Sequence, residues 1–215
     1  MKEVFEITKK DLKIEFRSKG TLNFMILFSL VVSFMFSVAI PKSVANDVAL
    51  PLLLLTFIFV SMLGYSRAFL REVELETLDG LRAIPISPTS VLTGKIIYNC
   101  ILMLIVEITV LPIFFAIFNL KISFVMLFLF ISVGNLSLVI AISALSMLTV
   151  KSKAKELLMP VILFPIVFPV ISPTIVALNS LYTNDINLDA LLIIGVYTVM
   201  ILTVSILTFE YLFIE

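Results

Sequence analysis

Residues 67–95 read RAFLREVELETLDGLRAIPISPTSVLTGK and form the only long polar stretch between two strongly apolar runs. The first half has an imperfect amphipathic helical pattern, with an acidic stripe opposite an apolar side. Pro85 ends this helix, because proline lacks a backbone N–H and clashes with the preceding turn. Ser87 and Pro88 then suit the N-cap and the first residue of a new helix. The stripe consists of Glu72, Glu76 and Asp79, and the apolar side of Leu70, Val73, Thr77, Leu78 and Leu81.

The composition of the chain indicates a membrane protein. Of its 215 residues, 61% are hydrophobic and 14% are charged, whereas a soluble domain is about half apolar and about a quarter charged. The net charge is zero, which gives no indication of a nucleic-acid partner. A single cysteine excludes an intrachain disulfide, and the lack of histidine removes the commonest metal ligand and general base.

Six long apolar runs predict six transmembrane helices, since a span needs about 20 apolar residues to cross about 30 Å of hydrocarbon. We therefore predict an all-α integral membrane protein with a single transmembrane domain over residues 1–215. It combines an N-terminal interfacial helix, six spans and a cytoplasmic coupling helix between the second and third spans. The interfacial helix is predicted at 1–20, the spans at about 21–40, 48–66, 96–118, 122–149, 157–177 and 190–213, and the coupling loop at 67–95.

The N-terminal segment is polar, nearly neutral and only partly amphipathic. Phe5, Leu12 and Phe16 share one helical face, whereas Ile7 and Ile14 lie opposite. We interpret the segment as a helix lying on the membrane, with its Lys and Arg side chains reaching the lipid headgroups. A charged flank before the first span is the alternative.

The Lys and Arg residues predict the orientation. With the N-terminus inside, only Lys42 and Lys121 of the fifteen basic residues fall outside. Because cytoplasmic loops carry the excess of positive charge, both termini and the stretch 67–95 are predicted to be cytoplasmic, in the cell (inner/cytoplasmic) membrane. We interpret this stretch as a docking element for a cytoplasmic partner, and a solvated surface loop is the alternative.

Glu107 lies near the middle of the third span. An acidic group at this depth costs about 2.5 kcal/mol or more on insertion scales, so it should face protein, water or a partner. It is either a group of a substrate path or gate, or a polar tether between spans, to Asn135, Ser137 or Thr203. Pro112 should kink the same helix.

Two later spans have unusual sequences. The fourth run is long and carries Gly134-Asn135 near its middle, where it could break or tilt. The fifth has four prolines, each of which removes one backbone hydrogen bond. It is predicted to be a kinked span, or one that stops short and turns back near its outer end. The prolines are Pro160, Pro165, Pro169 and Pro173.

Motifs for catalysis by this chain alone are missing. Gly94-Lys95 is followed by Ile96, so the phosphate-binding pattern GxxxxGK[ST] fails, and HExxH is impossible without histidine. An ABC-type arrangement fits better, in which a separate ATPase subunit contacts the short cytoplasmic helix.

The sequence resembles the CcmB family, the haem exporter protein B family of cytochrome c maturation within the type 2 ABC exporter membrane subunits. The most specific motifs are TLDGLRAIPISP at 77–88 followed by Gly94-Lys95, the VEITVLP unit at 106–112 and KAKELLMP at 153–160. The chain has ELETLDGL at 74–81, with Glu76 where the family commonly has glycine.

The resemblance implies a permease subunit rather than an enzyme. Its implied partners are a cytoplasmic ABC ATP-binding subunit, haem-handling membrane proteins, membrane lipid, and a second copy or a similar permease. This chain is expected to bind no cofactor or metal; haem is a possible cargo, and ATP and Mg belong on the partner. The implied coupling residues are Arg71, Glu72, Glu76, Leu78, Asp79, Leu81, Pro85 and Pro88. The candidates for a transport path or gate are Glu107, Pro112, Pro160, Pro165, Pro169 and Pro173.

The function implied is coupling of ATP hydrolysis to haem-chaperone release or haem handling outside, for cytochrome c-type biogenesis. One alternative is an ABC exporter permease for a lipid, glycan or peptide. Another is a membrane scaffold or assembly factor with no energised partner.

Overall fold

The structure of the chain is a computed structural model that describes residues 2–18, 20–65, 72, 80, 86–150, 155–183 and 186–214. It confirms the all-α class, because the secondary-structure elements of the described residues are all helices. Six of these helices are long and apolar enough to cross a membrane. In chain order these helices are α1 Lys2–Ser18, α2 Gly20–Ala39, α3 Ala45–Tyr65, α4 Pro88–Phe118, α5 Phe124–Val150, α6 Lys155–Thr183 and α7 Leu188–Ile214.

Helix α4 begins well before the span predicted at 96–118. Ser87 is its N-cap, with φ −66° and ψ 140°, and the Ser87 hydroxyl accepts a hydrogen bond from the Ser90 N–H at 3.3 Å. This confirms the cap and first residue predicted from Ser87-Pro88. A helix of 31 residues is about 46 Å long, more than the roughly 30 Å of a hydrocarbon layer. One end of α4 can therefore extend beyond the apolar layer.

Helix α5 is the centre of the bundle. It packs against α3, α4, α6 and α7 and is the most buried of the candidate spans. The break considered at Gly134-Asn135 does not occur, because α5 is continuous from Phe124 to Val150. Gly134 instead allows α6 to approach closely, since a Cβ at this position would lie 2.7 Å from Cγ2 of Thr174. Small residues give this close packing between helices in lipid.

The proline-rich segment is one uninterrupted helix. Helix α6 runs from Lys155 to Thr183 and includes all four prolines, so the alternative in which the chain turns back is wrong. The Tyr197 hydroxyl of α7 donates a hydrogen bond to the Ile166 carbonyl oxygen. This carbonyl lies between Pro165 and Pro169 in the sequence. The hydrogen bond joins α7 to α6 in the middle of the proline-rich stretch.

Helix α1 packs against the first turns of α4. Ile7 and Thr8 are buried, and the Thr8 hydroxyl donates to the Gly94 carbonyl oxygen 3.0 Å away. A Cβ at Gly94 would lie 2.9 Å from Cγ2 of Ile7, so only glycine allows this approach. The imperfect amphipathic pattern of α1 is thereby explained, because Ile7 faces protein while Phe5 and Phe16 are exposed elsewhere on the helix.

We predict that Gly94→Ala separates α1 from α4 and destabilises the protein by about 1–3 kcal/mol, the usual cost of overpacking. Gly195→Ala in α7 is the matched control, since a Cβ there meets nothing within 4 Å. Alanine is favoured over glycine inside a helix by up to about 1 kcal/mol. Thermal unfolding in detergent should therefore show a lower midpoint for Gly94→Ala and an unchanged or higher one for the control. Equal shifts would contradict the close contact.

Candidate functional site

A buried lysine forms the centre of a charged cluster where α1 meets the start of α4. The side chain of Lys95 in α4 is 1% exposed. Its Nζ atom lies 2.9 Å from Oδ2 of Asp11 in α1 and 2.9 Å from Oε1 of Glu72. The Lys10 Nζ lies 2.7 Å from the same Glu72 oxygen and 3.3 Å from Oδ1 of Asp11. We call Lys10, Asp11, Glu72 and Lys95 the ion cluster.

The ion cluster contains two cations and two anions, so its formal charge is zero. Burial alone would raise the pKa of Glu72, but Lys95 and Lys10 hold the pKa of this carboxyl below its usual value. Burial alone would lower the pKa of Lys10, but the carboxylates of Asp11 and Glu72 raise it instead. The contribution of Glu72 to stability is therefore present at neutral pH. It is lost only as the pH falls through the lowered pKa of the folded protein.

Glu15 links α1 to α2 and to α4. Its Oε1 accepts a hydrogen bond from the Leu22 N–H at 2.9 Å, in the first turn of α2, where N–H groups have no partner within the helix. Its Oε2 accepts from the Tyr98 hydroxyl of α4 at 3.5 Å. A carboxylate is also favoured at a helix N-terminus by the helix dipole. Helix α1 is thus fixed to α2 and α4 by polar contacts at three successive turns.

A second buried carboxylate lies deeper in the bundle. Glu107 of α4 is fully buried; Oε2 accepts from the Ser132 hydroxyl and Oε1 from the Asn135 amide of α5, both at 2.6 Å. Of the three partners considered, Asn135 is the one it contacts. Ser137 shares a hydrogen bond with α7, and Thr203 donates within its own helix. The geometry is that of a polar tether between α4 and α5.

A protein-family model matches almost the whole of the chain. The family model described as CcmB protein matches residues 2–211, from α1 to the last turn of α7. The chain belongs to the CcmB family. It is therefore the membrane subunit of a haem-exporting ABC transporter of cytochrome c maturation, and a permease rather than an enzyme. No match was found among curated proteins.

The structure describes two of the eight residues that the CcmB resemblance assigns to coupling. Pro88 is the first residue of α4. Glu72 was placed in an acidic stripe facing a partner, but the structure shows it 7% exposed and bonded within the protein. Its carboxylate contacts Lys10 and Lys95, so it does not form part of an exposed stripe. The positions outside the described residues are Arg71, Glu76, Leu78, Asp79, Leu81 and Pro85.

The candidate path residues of this CcmB protein do not converge on one cavity. Glu107 is enclosed between helices, and Pro112 lies inside the continuous helix α4. Pro165 and Pro169 are exposed on the outer face of α6. Pro173 is partly buried, and the side chain of Pro160 is outside the described part of the structure. Among the described side chains, these candidates thus lie within helix packing or on an external surface.

Sequence reasoning missed the centre of the ion cluster. Lys95 was counted among the basic residues of the coupling loop and within the Gly94-Lys95 motif, but was given no partner, and no spacing relates positions 11, 72 and 95. One signal was present, because an ionisable residue at the start of an apolar helix needs a partner of opposite charge. For metal binding, no group of three His, Cys, Asp or Glu side chains occurs among the described residues.

We predict that Lys95→Met destabilises the protein by about 3–5 kcal/mol, because it leaves an excess of buried negative charge. Adding Glu72→Gln leaves Lys10 and Asp11 as a balanced pair. The double variant should therefore recover at least about 1 kcal/mol of the lost stability, the coupling expected of contacting residues. The measurement is the free energy of unfolding in mixed micelles for both single variants and the double variant. Lys121→Met, at an exposed position outside the cluster, is the control. Strict additivity of the two changes would argue against the cluster.

We predict that Glu107→Gln is close to wild type in stability, because the amides of Gln and Asn135 can reorient and keep a hydrogen-bonded network. Glu107→Leu should lose about 1–3 kcal/mol for each polar group left unpaired. Unfolding midpoints and the yield of mature cytochrome c should follow the same order. A stable Gln variant that fails to support cytochrome c assembly would contradict the tether and favour a role in a path or gate.

Proposed function

We propose that the ATP-binding subunit docks on residues 67–95 at the cytoplasmic side and that the ion cluster transmits its movement to the membrane helices. The supporting observation is that Glu72, inside the predicted coupling helix, is bonded both to Lys95 of α4 and to Lys10 of α1. Separating a buried charge from its partner is strongly unfavourable. Displacement of residue 72 therefore moves α1 and α4 together.

Helix α4 then carries the movement towards the bundle centre. Lys95 and Glu107 lie on this one continuous helix, about 18 Å apart along its axis at 1.5 Å per residue. The tether from Glu107 to Ser132 and Asn135 passes the displacement to α5. Since α5 contacts four other helices, a shift of α5 changes the packing of the whole subunit.

The proposed output is haem handling on the outer side of the membrane. Hydrolysis of ATP, with Mg, on the partner subunit would drive release of a haem-loaded chaperone or a haem-transfer step among haem-handling membrane proteins. We place the path between two six-span halves, either two copies of this chain or this chain and a similar permease. The exposed prolines on the outer face of α6 support this arrangement, because that face is available to a second half.

Docking and coupling can be tested separately. Leu81→Asp and Asp79→Lys should abolish co-purification of the ATP-binding subunit, since loss of an interface hot spot costs about 2 kcal/mol or more, or at least about 30-fold in affinity. The charge-balanced variant Glu72→Gln/Lys95→Met should keep the ATP-binding subunit bound. It should lower the yield of cytochrome c by a factor on the order of ten, the size of a typical coupling free energy.

The comparison needs membranes with matched expression of each variant and a mild detergent. Asp189→Asn, at an exposed position at the start of α7, is the control and should behave as wild type in both measurements. Normal binding of the ATPase by both loop variants would refute docking on residues 67–95. Normal cytochrome c yield from the charge-balanced variant would refute transmission through the ion cluster. Normal cytochrome c in a deletion strain would point instead to a non-haem cargo.

A further inference from the structure

An apolar groove runs between α1 and α4 on the side facing away from the ion cluster. It has a volume of about 750 Å³. Leu12 of α1 and Ile97 and Ile101 of α4 line its walls, and Lys9 and Lys13 stand at its α1 side. No acidic residue lines it among those described. The groove thus combines apolar walls with positive charge along its α1 side.

The two lysines of the groove are exposed, unlike the paired lysines of the ion cluster. Lys9 and Lys13 are one helical turn apart, so they project from the same side of α1. Both are exposed, and neither forms an ion pair with a described acidic residue. Lys10 and Lys95, in contrast, are neutralised within the ion cluster. The positive charge at the groove is therefore available for a ligand.

The dimensions of the groove suit a lipid. Thr93, Ile97 and Ile101 follow one another at four-residue intervals on one face of α4. They cover about 12 Å of helix; with Glu107 near the middle of the span, Thr93 lies at the headgroup level and the stretch from Ile97 to Ile101 lies in the outer part of one leaflet, which is about half of the 30 Å hydrocarbon layer. An acyl chain can lie along this face while its headgroup stays beside α1.

We propose that this groove is a binding site for one acidic phospholipid, with its acyl chain against Ile97 and Ile101 and its phosphate at Lys9 and Lys13. Two other grooves of the bundle lack this charge: one at Leu192 and Val196 of α7, and one between α2 and α3. Ordinary bilayer lipid suffices to cover those. The proposal does not depend on the ATPase coupling proposed above.

The chain contains no tryptophan, so one introduced tryptophan gives a clean fluorescent reporter. Ile97→Trp places the reporter in the groove, and Val196→Trp places it in the uncharged groove of α7. Each full-length variant is reconstituted in phosphatidylcholine vesicles containing brominated phosphatidylglycerol or brominated phosphatidylcholine at equal mole fraction. Bromine quenches tryptophan on contact, so the quenching ratio measures the local preference for the acidic lipid.

The groove reporter should prefer brominated phosphatidylglycerol by roughly fivefold or more, as each lysine near an anionic surface contributes about that factor. The α7 reporter should show little preference. Lys9→Gln/Lys13→Gln should abolish the preference at the groove, and raising the salt from 0.1 M to 1 M should reduce it. Lys42→Gln/Lys121→Gln removes the same charge elsewhere and should leave it intact.

Three results would overturn the lipid site. Equal quenching by both lipids at the groove reporter would show that the acidic headgroup is not selected. Equal preference at both reporters would show general enrichment of acidic lipid around the protein. An absence of quenching by either lipid would show that the groove is closed to the bilayer and covered by protein.

Discussion

The end of the bundle that carries α1 depends on one buried charge, the ammonium group of Lys95. Removing such an ion from water costs several kcal/mol unless partners of opposite charge are supplied in good geometry. Among the described residues, two such partners come from distant parts of the chain, Asp11 from α1 and Glu72 from the predicted coupling helix. Movement of α1 out of the bundle, or of residue 72 away from α4, is therefore unfavourable. Either change would leave the buried ammonium group of Lys95 without one of its carboxylate partners. The glycine at position 94 is required for the same reason, since it lets α1 come close enough.

The two buried charges of α4 are satisfied in different ways that match their depth. Lys95, near the end of the helix, is balanced by full charges, whereas Glu107 in the middle receives hydrogen bonds from two neutral side chains. Neutral donors suit a deep position, because each additional charge there would have its own desolvation cost. The result is one rigid helix with a polar link near its start and another near its middle. This arrangement explains how a movement at the surface could reach the bundle centre without a continuous polar channel.

Most of the fold was predictable because a bilayer imposes simple rules on sequence. Uncharged runs located the six spans, and Ser87-Pro88 located the start of α4, since these signals are local. The positions of the helix ends were predicted less accurately. Helix α4 continues well outside its apolar run because α1 packs against the extension. The ion cluster was not predictable, because contacts among positions 11, 72 and 95 leave no periodic pattern. Two local signals pointed towards it: the ionisable Lys95 at the start of an apolar helix, and the mismatched Ile7, which marks the face of α1 that contacts Gly94.

The prolines of α6 leave backbone carbonyls without hydrogen-bond donors on the exposed face of the helix. Val161, Pro165 and Pro169 follow one another at four-residue intervals and are all exposed. Pro165 and Pro169 remove the N–H donors that the carbonyls of Val161 and Pro165 would otherwise receive. Carbonyls without donors are unfavourable against lipid but acceptable against protein or in a water-lined cavity. The exposed large side chains Phe164 and Phe168 add apolar area to the same region. A second six-span half packed on this face would satisfy both requirements, and it would place the path between the halves beside the backbone that the prolines have freed.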